Sequence, residues 1–154
     1  MLFLLCQVAT ERYAIPANRI VEVLPLVAIN RLPQMKPGVA GILHYHGASL
    51  LVMDFGMLVS LQPTPARLST RVVLLDGLDE SGARRPLGLI AGRATEMLSL
   101  APSAFQVAGE SMNTAPFLGP IAWDSRGVVR RVEVDGFATF LRTLQPEVPS
   151  LAQP

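Results

Sequence analysis

The sequence predicts a small all-β protein. Short runs rich in Val, Ile and Leu recur along the chain, Gly and Pro turns separate them, and sustained helical spacing appears only near the C-terminus. With 12 glycines and 13 prolines among 154 residues, turns come too often for long crossover helices. That pattern argues for a barrel or sandwich rather than a parallel α/β sheet.

Leu2 to Ala9 is an apolar run bounded by a polar turn at Thr10-Glu11-Arg12. The opening Met1-Leu2-Phe3-Leu4-Leu5-Cys6 resembles the core of a signal peptide, but no basic segment precedes it and Gln7 interrupts it, so it reads as a first strand. A lipid-modified Cys6 lacks the same basic segment. Tyr13-Ala14-Ile15 follows and ends at Pro16. Ile20 to Leu26 is rich in β-branched residues, and Pro25 must end that strand or lie on an edge. Residues 31–37 read as a loop between Pro33 and Pro37. Val39 to His46 and Ser49 to Asp54 flank Gly47-Ala48 and read as a hairpin. Phe55 to Leu61 suits one helical turn or a short helix.

Residues 62–69 contain Pro63 and Pro65 and are the best candidate boundary between two lobes. The strand pattern then restarts. Arg71 to Leu75 and Leu87 to Ala91 are strands around a polar loop at 76–85, and Thr95 to Leu100 is another. Residues 101–116 read as loop. Phe117 to Asp124 and Val128 to Val134 flank the hairpin signal Ser125-Arg126-Gly127. Apolar residues at 137, 140, 141 and 144 predict a closing helix. The domain therefore spans 1–145, with lobe 1 at about 10–62 and lobe 2 at about 70–134; the Pro-rich tail 146–154 reads as flexible.

Composition excludes several functions. Half of the residues are hydrophobic and 16% are charged, which suits a packed core and not a disordered chain. Net charge is +1 and aromatics are 6%, so neither a basic stripe nor a base-stacking platform for nucleic acid is present. A lone cysteine fits a reducing cytoplasm. No apolar run reaches the ~20 residues of a membrane helix.

Catalytic signals are weak. Gly47-Ala48-Ser49 lacks the second glycine of a serine-hydrolase elbow, and no phosphate loop or dinucleotide fingerprint occurs. Ser49, His46 and Asp54 make a triad only on paper. Cys6 has no cationic neighbour in sequence and reads as buried. The sharpest local feature is His44-x-His46. On a strand these two histidines share a face, opposite Leu43 and Tyr45. That pair is either two surface histidines, half of a metal site completed by Glu22 or Asp54, or a contact surface for a protein partner.

The block from Gly41 to Phe55, Gly-Ile-Leu-His-Tyr-His-Gly-Ala-Ser-Leu-Leu-Val-Met-Asp-Phe, resembles the signature hairpin of CheW-like domains, which reads Gly-(Val/Ile)-x-Asn-Leu-Arg-Gly and then an apolar strand ending in Val-Asp-Leu. Glu11-Arg12-Tyr13-Ala14-Ile15-Pro16, Ile20-Val21-Glu22-Val23-Leu24, Arg71 to Leu75, Leu87 to Ala91 and Ala94 to Leu100 fall in the family's order. The resemblance covers about Leu2 to Leu144. It implies two SH3-like five-stranded β-barrel lobes with a short C-terminal helix. It also implies a cytoplasmic, non-enzymatic adaptor without a cofactor, associated with receptor arrays. Its partners would be the regulatory domain of a CheA-type histidine kinase, the cytoplasmic tip of a methyl-accepting chemoreceptor, and other CheW-like proteins. The opening Met-Leu-Phe-Leu-Leu and the Val-Leu-Pro-Leu run point to the subset in Wsp-type surface-sensing systems, which control a diguanylate cyclase.

By the resemblance, Ile20, Glu22, His44 and His46 are the receptor-binding residues; it assigns no kinase-binding residue. Ile20, Val23 and Leu24 could supply an apolar docking surface, although Val23 reads better as core. The family's Asn and Arg are His44 and His46 here, and Leu51 replaces its proline. Arg carries a fixed charge and five donors, whereas neutral imidazole does not, so the receptor contact must differ in chemistry. A ligand- or metal-binding β-barrel that uses the His44/His46 pair is the alternative function.

Overall fold

The computed structural model describes residues 1–26, 29–30, 36–79, 81–107 and 115–144. These form strands β1 (Leu2–Val8), β2 (Glu11–Pro16), β3 (Ile20–Pro25), β4 (Val39–Tyr45) and β5 (Ala48–Asp54), helix α1 (Phe55–Ser60), strands β6 (Arg71–Leu78), β7 (Arg84–Ala91), β8 (Glu96–Ser99), β9 (Leu118–Asp124) and β10 (Gly127–Val132), and helix α2 (Gly136–Leu144). Short 3-10 turns occupy Ala17–Arg19 and Pro102–Ala104.

Two five-stranded sheets result, in the orders β8-β1-β2-β10-β9 and β3-β6-β7-β5-β4. Each curls until its edges meet. Past β3, Asn30 exchanges both backbone hydrogen bonds with Ile42 on β4, at 3.1 and 3.0 Å. Past β8, Gln106 does the same with Ile121 on β9, at 2.7 and 2.8 Å. One bridge thus closes each sheet into a barrel-like lobe.

The lobes do not follow the halves of the chain. The expected division at 62–70 fails because β2 lies in one sheet while β3, β4 and β5 lie in the other, together with β6 and β7. The first sheet joins the two ends of the chain through the parallel pairing of β2 with β10. The Pro-rich segment links α1 to β6 within the second lobe.

The middle stretches of β1, β6 and β7 are covered on both faces, which explains their continuous apolar runs. Along β1, Phe3 and Leu5 point into the first barrel with Ala14 and Val129, while Leu4 and Cys6 point toward the other lobe. Along β6, Val72 and Leu74 fill the second barrel, and Val73 and Leu75 face the first lobe. The layer between the lobes also holds Phe55, Phe117 and Phe137; the last two rings stack at 4.9 Å. α2 forms where its spacing predicted, burying Phe137 and packing Phe140 and Leu141 on that layer. Gly136 starts it because a β-carbon there would lie 2.0 Å from the carbonyl oxygen of Pro116.

Local boundaries differ in a few places. Glu11 and Arg12 belong to β2; the turn is Ala9-Thr10. The strands of the β6–β7 hairpin run to Leu78 and from Arg84, which shortens the expected loop at 76–85. Asp79 tightens that turn by accepting from Ser81 Oγ at 2.6 Å and from the Ser81 and Ala83 amides at 2.9 Å, and these bonds, led by the Ser81 hydroxyl, hold its pKa at about 2. Pro25 ends β3 and lies on an edge strand, so both expected alternatives hold together. Most of the 31–37 loop, part of the 101–116 loop and the tail lie outside the described residues.

Candidate partner-binding site

The four sequence-identified residues lie on β3 and on the β4–β5 hairpin, which meet at the seam of the second barrel. Arg19 fixes the start of β3. Its guanidinium donates to the Asp76 carbonyl at 2.7 and 3.2 Å and to the Asp135 carboxylate at 2.5 and 3.3 Å. Asp135 is held below the usual carboxylate range, chiefly by that hydrogen bond.

A β-bulge follows. Ile20 pairs with Leu75, but Glu22 pairs with Leu74, so one extra residue is accommodated at Val21. Simple alternation would place Ile20 and Glu22 on one face; the bulge separates them. Ile20 packs, half-buried, against the layer between the lobes. Glu22 turns toward the rim of the second barrel and accepts a hydrogen bond from the Tyr45 hydroxyl. That bond raises the Tyr45 phenol above its ordinary range. Val23 is 39% exposed, which corrects its assignment to the core: it stands beside buried Val73 but on the outermost strand.

The hairpin turn is His46-Gly47, with φ of +50° and +81°, the pattern of a two-residue turn with both central residues left-handed. Strand geometry stops at Tyr45, so His44 and His46 do not share a face as expected. His44 is exposed, with Nδ1 at 3.2 Å from Ser49 Oγ. His46 stacks on Tyr45, ring centroids 4.1 Å apart and planes 29° apart. The structure thus gathers Glu22, Tyr45 and His46, sets His44 with Ser49, and leaves Ile20 on the other side of β3.

Tyr45 is the residue that sequence reasoning missed. It alternates with Leu43 as expected, and its ring packs against the second barrel's core, but its hydroxyl reaches Glu22 across the seam. Val21, at 55% exposed, was also missed, because a bulge leaves no periodic signal. In the first lobe Met97 and Leu2 are also apolar and nearly half exposed; Met97 pairs with Leu4, whose side chain enters the layer between the lobes.

No triad forms from Ser49, His46 and Asp54. Asp54 sits at the far end of β5, where it accepts from Thr64 Oγ1 at 2.6 Å and caps α1 through the Met57 amide. Cys6 is buried, and burial pushes its thiol up to about 12. Among the described residues, no group of three His, Cys, Asp or Glu side chains could hold a metal ion, so the His44/His46 reading gains no further ligand. No helix among them is long and apolar enough to cross a membrane.

A family model described as CheW-like domain matches residues 2–139. No curated protein sequence matches. Among solved structures, the scaffolding protein TtCheW from Thermoanaerobacter tengcongensis superposes with a TM-score of 0.74 at 17% identity, covering 85% of this chain and 82% of that one. That likeness is one of fold.

Proposed function

The chain belongs to the CheW-like domain family, and from that membership we propose that it is a non-enzymatic adaptor coupling a methyl-accepting chemoreceptor to a CheA-type histidine kinase. The observation that carries this reading is the apolar margin of β3, where Val21 and Val23 stand exposed beside Ile20 and beside the Glu22–Tyr45–His46 group. An apolar strip with a polar end suits the side of a receptor helix. Ile20, Glu22, His44 and His46 are its candidate receptor contacts, with Tyr45 orienting Glu22. The protein then works in the cytoplasm at a receptor array. The N-terminal run and Val-Leu-Pro-Leu favour a surface-sensing pathway with a diguanylate cyclase as its output.

The test is binding of the purified chain to its receptor tip and to the kinase regulatory domain by titration calorimetry. Both should bind, and together. His46→Arg should leave kinase binding intact and strengthen receptor attachment by restoring a fixed charge. Failure of the wild-type chain to bind either partner overturns the reading; loss of kinase binding in His46→Arg would reverse the assignment of surfaces.

A further inference from the structure

Between α1 and β6 the chain presents Leu68 with 97% of its surface exposed. The loop that carries it is firmly built. Thr70, only 2% exposed, donates its hydroxyl to the Pro65 carbonyl at 2.6 Å and accepts from the Arg67 amide at 3.1 Å. Its own amide returns to the Arg67 carbonyl at 3.0 Å. Arg71 donates to the Leu68 carbonyl and to the Thr70 carbonyl, the Ala94 amide bonds the Ser69 carbonyl at 3.0 Å, and Asp54 holds Thr64 upstream. A leucine held outward by a braced loop has lost the freedom that binding would otherwise cost.

Its surroundings are basic. A hollow of about 260 Å³ lies beside the loop, lined by Arg67, Arg93, Gln7, Pro65 and Gly92 among others, with no carboxylate in its wall. Neither the Arg67 nor the Arg93 guanidinium makes an ion pair among the described residues. Such a surface fits a partner that offers an apolar pocket rimmed by carboxylates.

Its position separates it from the candidate receptor contacts. The loop enters β6 at Arg71, opposite Ala91, at the end where β7 finishes. The His46-Gly47 turn lies at the end where β7 begins, because β5 runs parallel to β7 with Asp54 beside Ile90. The eight residues of β6 span ~26 Å at strand rise, so partners at the two ends need not collide.

We infer that the Leu68 loop is the kinase contact of this adaptor, with Leu68 entering an apolar pocket on the kinase regulatory domain and Arg67 and Arg93 meeting carboxylates on its rim. The inference rests on the coupling function proposed above. It is tested by titrating the purified full chain with the purified kinase regulatory domain at low and high salt. Leu68→Asp and Arg93→Glu should each weaken binding at least about tenfold, with the wild-type affinity falling as salt rises. Receptor-tip binding and the thermal midpoint of Leu68→Asp should not change, since the side chain touches almost nothing in the free protein. Wild-type-like kinase affinity in both variants would overturn the assignment while leaving the coupling function standing. A wild-type chain that binds no kinase domain would overturn both.

Discussion

Gly41 lies so close to Asn30 that a β-carbon on it would stand 2.3 Å from the Asn30 carbonyl oxygen. Its φ of +154° adds a conformation that L-residues rarely adopt. This approach lets Asn30 and Ile42 exchange hydrogen bonds and close the second barrel. Gly41→Ala should therefore open the seam and cost about 2–4 kcal/mol, seen as a lower urea midpoint by circular dichroism. Tyr45 should also lose its hold on Glu22, so receptor-tip binding should weaken in the same variant. A variant as stable as wild type would show that the seam does not need the glycine.

Arg12 and Asp124 tie β2 to the end of β9 across 112 residues of sequence. The guanidinium makes three contacts of 2.6 to 3.1 Å with the carboxylate, with the side chains only 11% and 18% exposed. Among the described residues, buried Arg12 Nε has no hydrogen-bond partner, and the guanidinium donates to Asp124. Asp124→Asn should destabilise by about 2–3 kcal/mol, below the cost of breaking a fully buried pair because some solvent contact remains. Chemical denaturation of the variant checks this; a loss under about 0.5 kcal/mol would place the pair with ordinary surface ion pairs.

Alkaline pH should unfold the protein early. Burial pushes the Cys6 thiol up to about 12, and burial, followed by the charge and hydrogen bond of Glu11, raises the Tyr13 phenol. Both groups are protonated in either state below their ordinary ranges, so their contribution is complete there. Above about pH 9 the unfolded chain releases these protons first, and stability falls with pH until the folded groups titrate too. Urea midpoints should decline between about pH 8 and 11, and Cys6→Ala should flatten part of that decline. A flat profile in the wild type would contradict it.

Much of this fold is legible locally. The hairpin around His46-Gly47, the hairpin around Ser125-Arg126 and the helix carrying Phe137 and Phe140 each follow from residue periods and turn chemistry within a dozen positions. The exchange of strands between lobes is not legible that way. Both lobes use the same Val and Leu alternation, so nothing near Tyr13 says that its sheet neighbour is Arg130 and not a residue of β3. The site was legible in part for the same reason. Glu22 and His46 stand out as departures or matches within short motifs, whereas the bulge at Val21 and the reach of Tyr45 depend on how two distant strands meet. The Leu68 loop carries no motif; only its near-complete exposure on a braced turn marks it.

The pairing of β2 with β10 has a consequence for how the protein comes into being. Emerging from the ribosome, β1 and β2 can form a hairpin, but β8, β9 and β10, which flank it in the finished sheet, are made more than 70 residues later. The second lobe, by contrast, is a contiguous stretch from β3 to β7 and can close first. Phe3, Leu5 and Ala14, which fill the first barrel together with Val129, stay uncovered until β10 has been made. Cutting the chain at the Pro-rich link would separate two of the five strands of each barrel from the other three, so neither fragment holds a complete sheet.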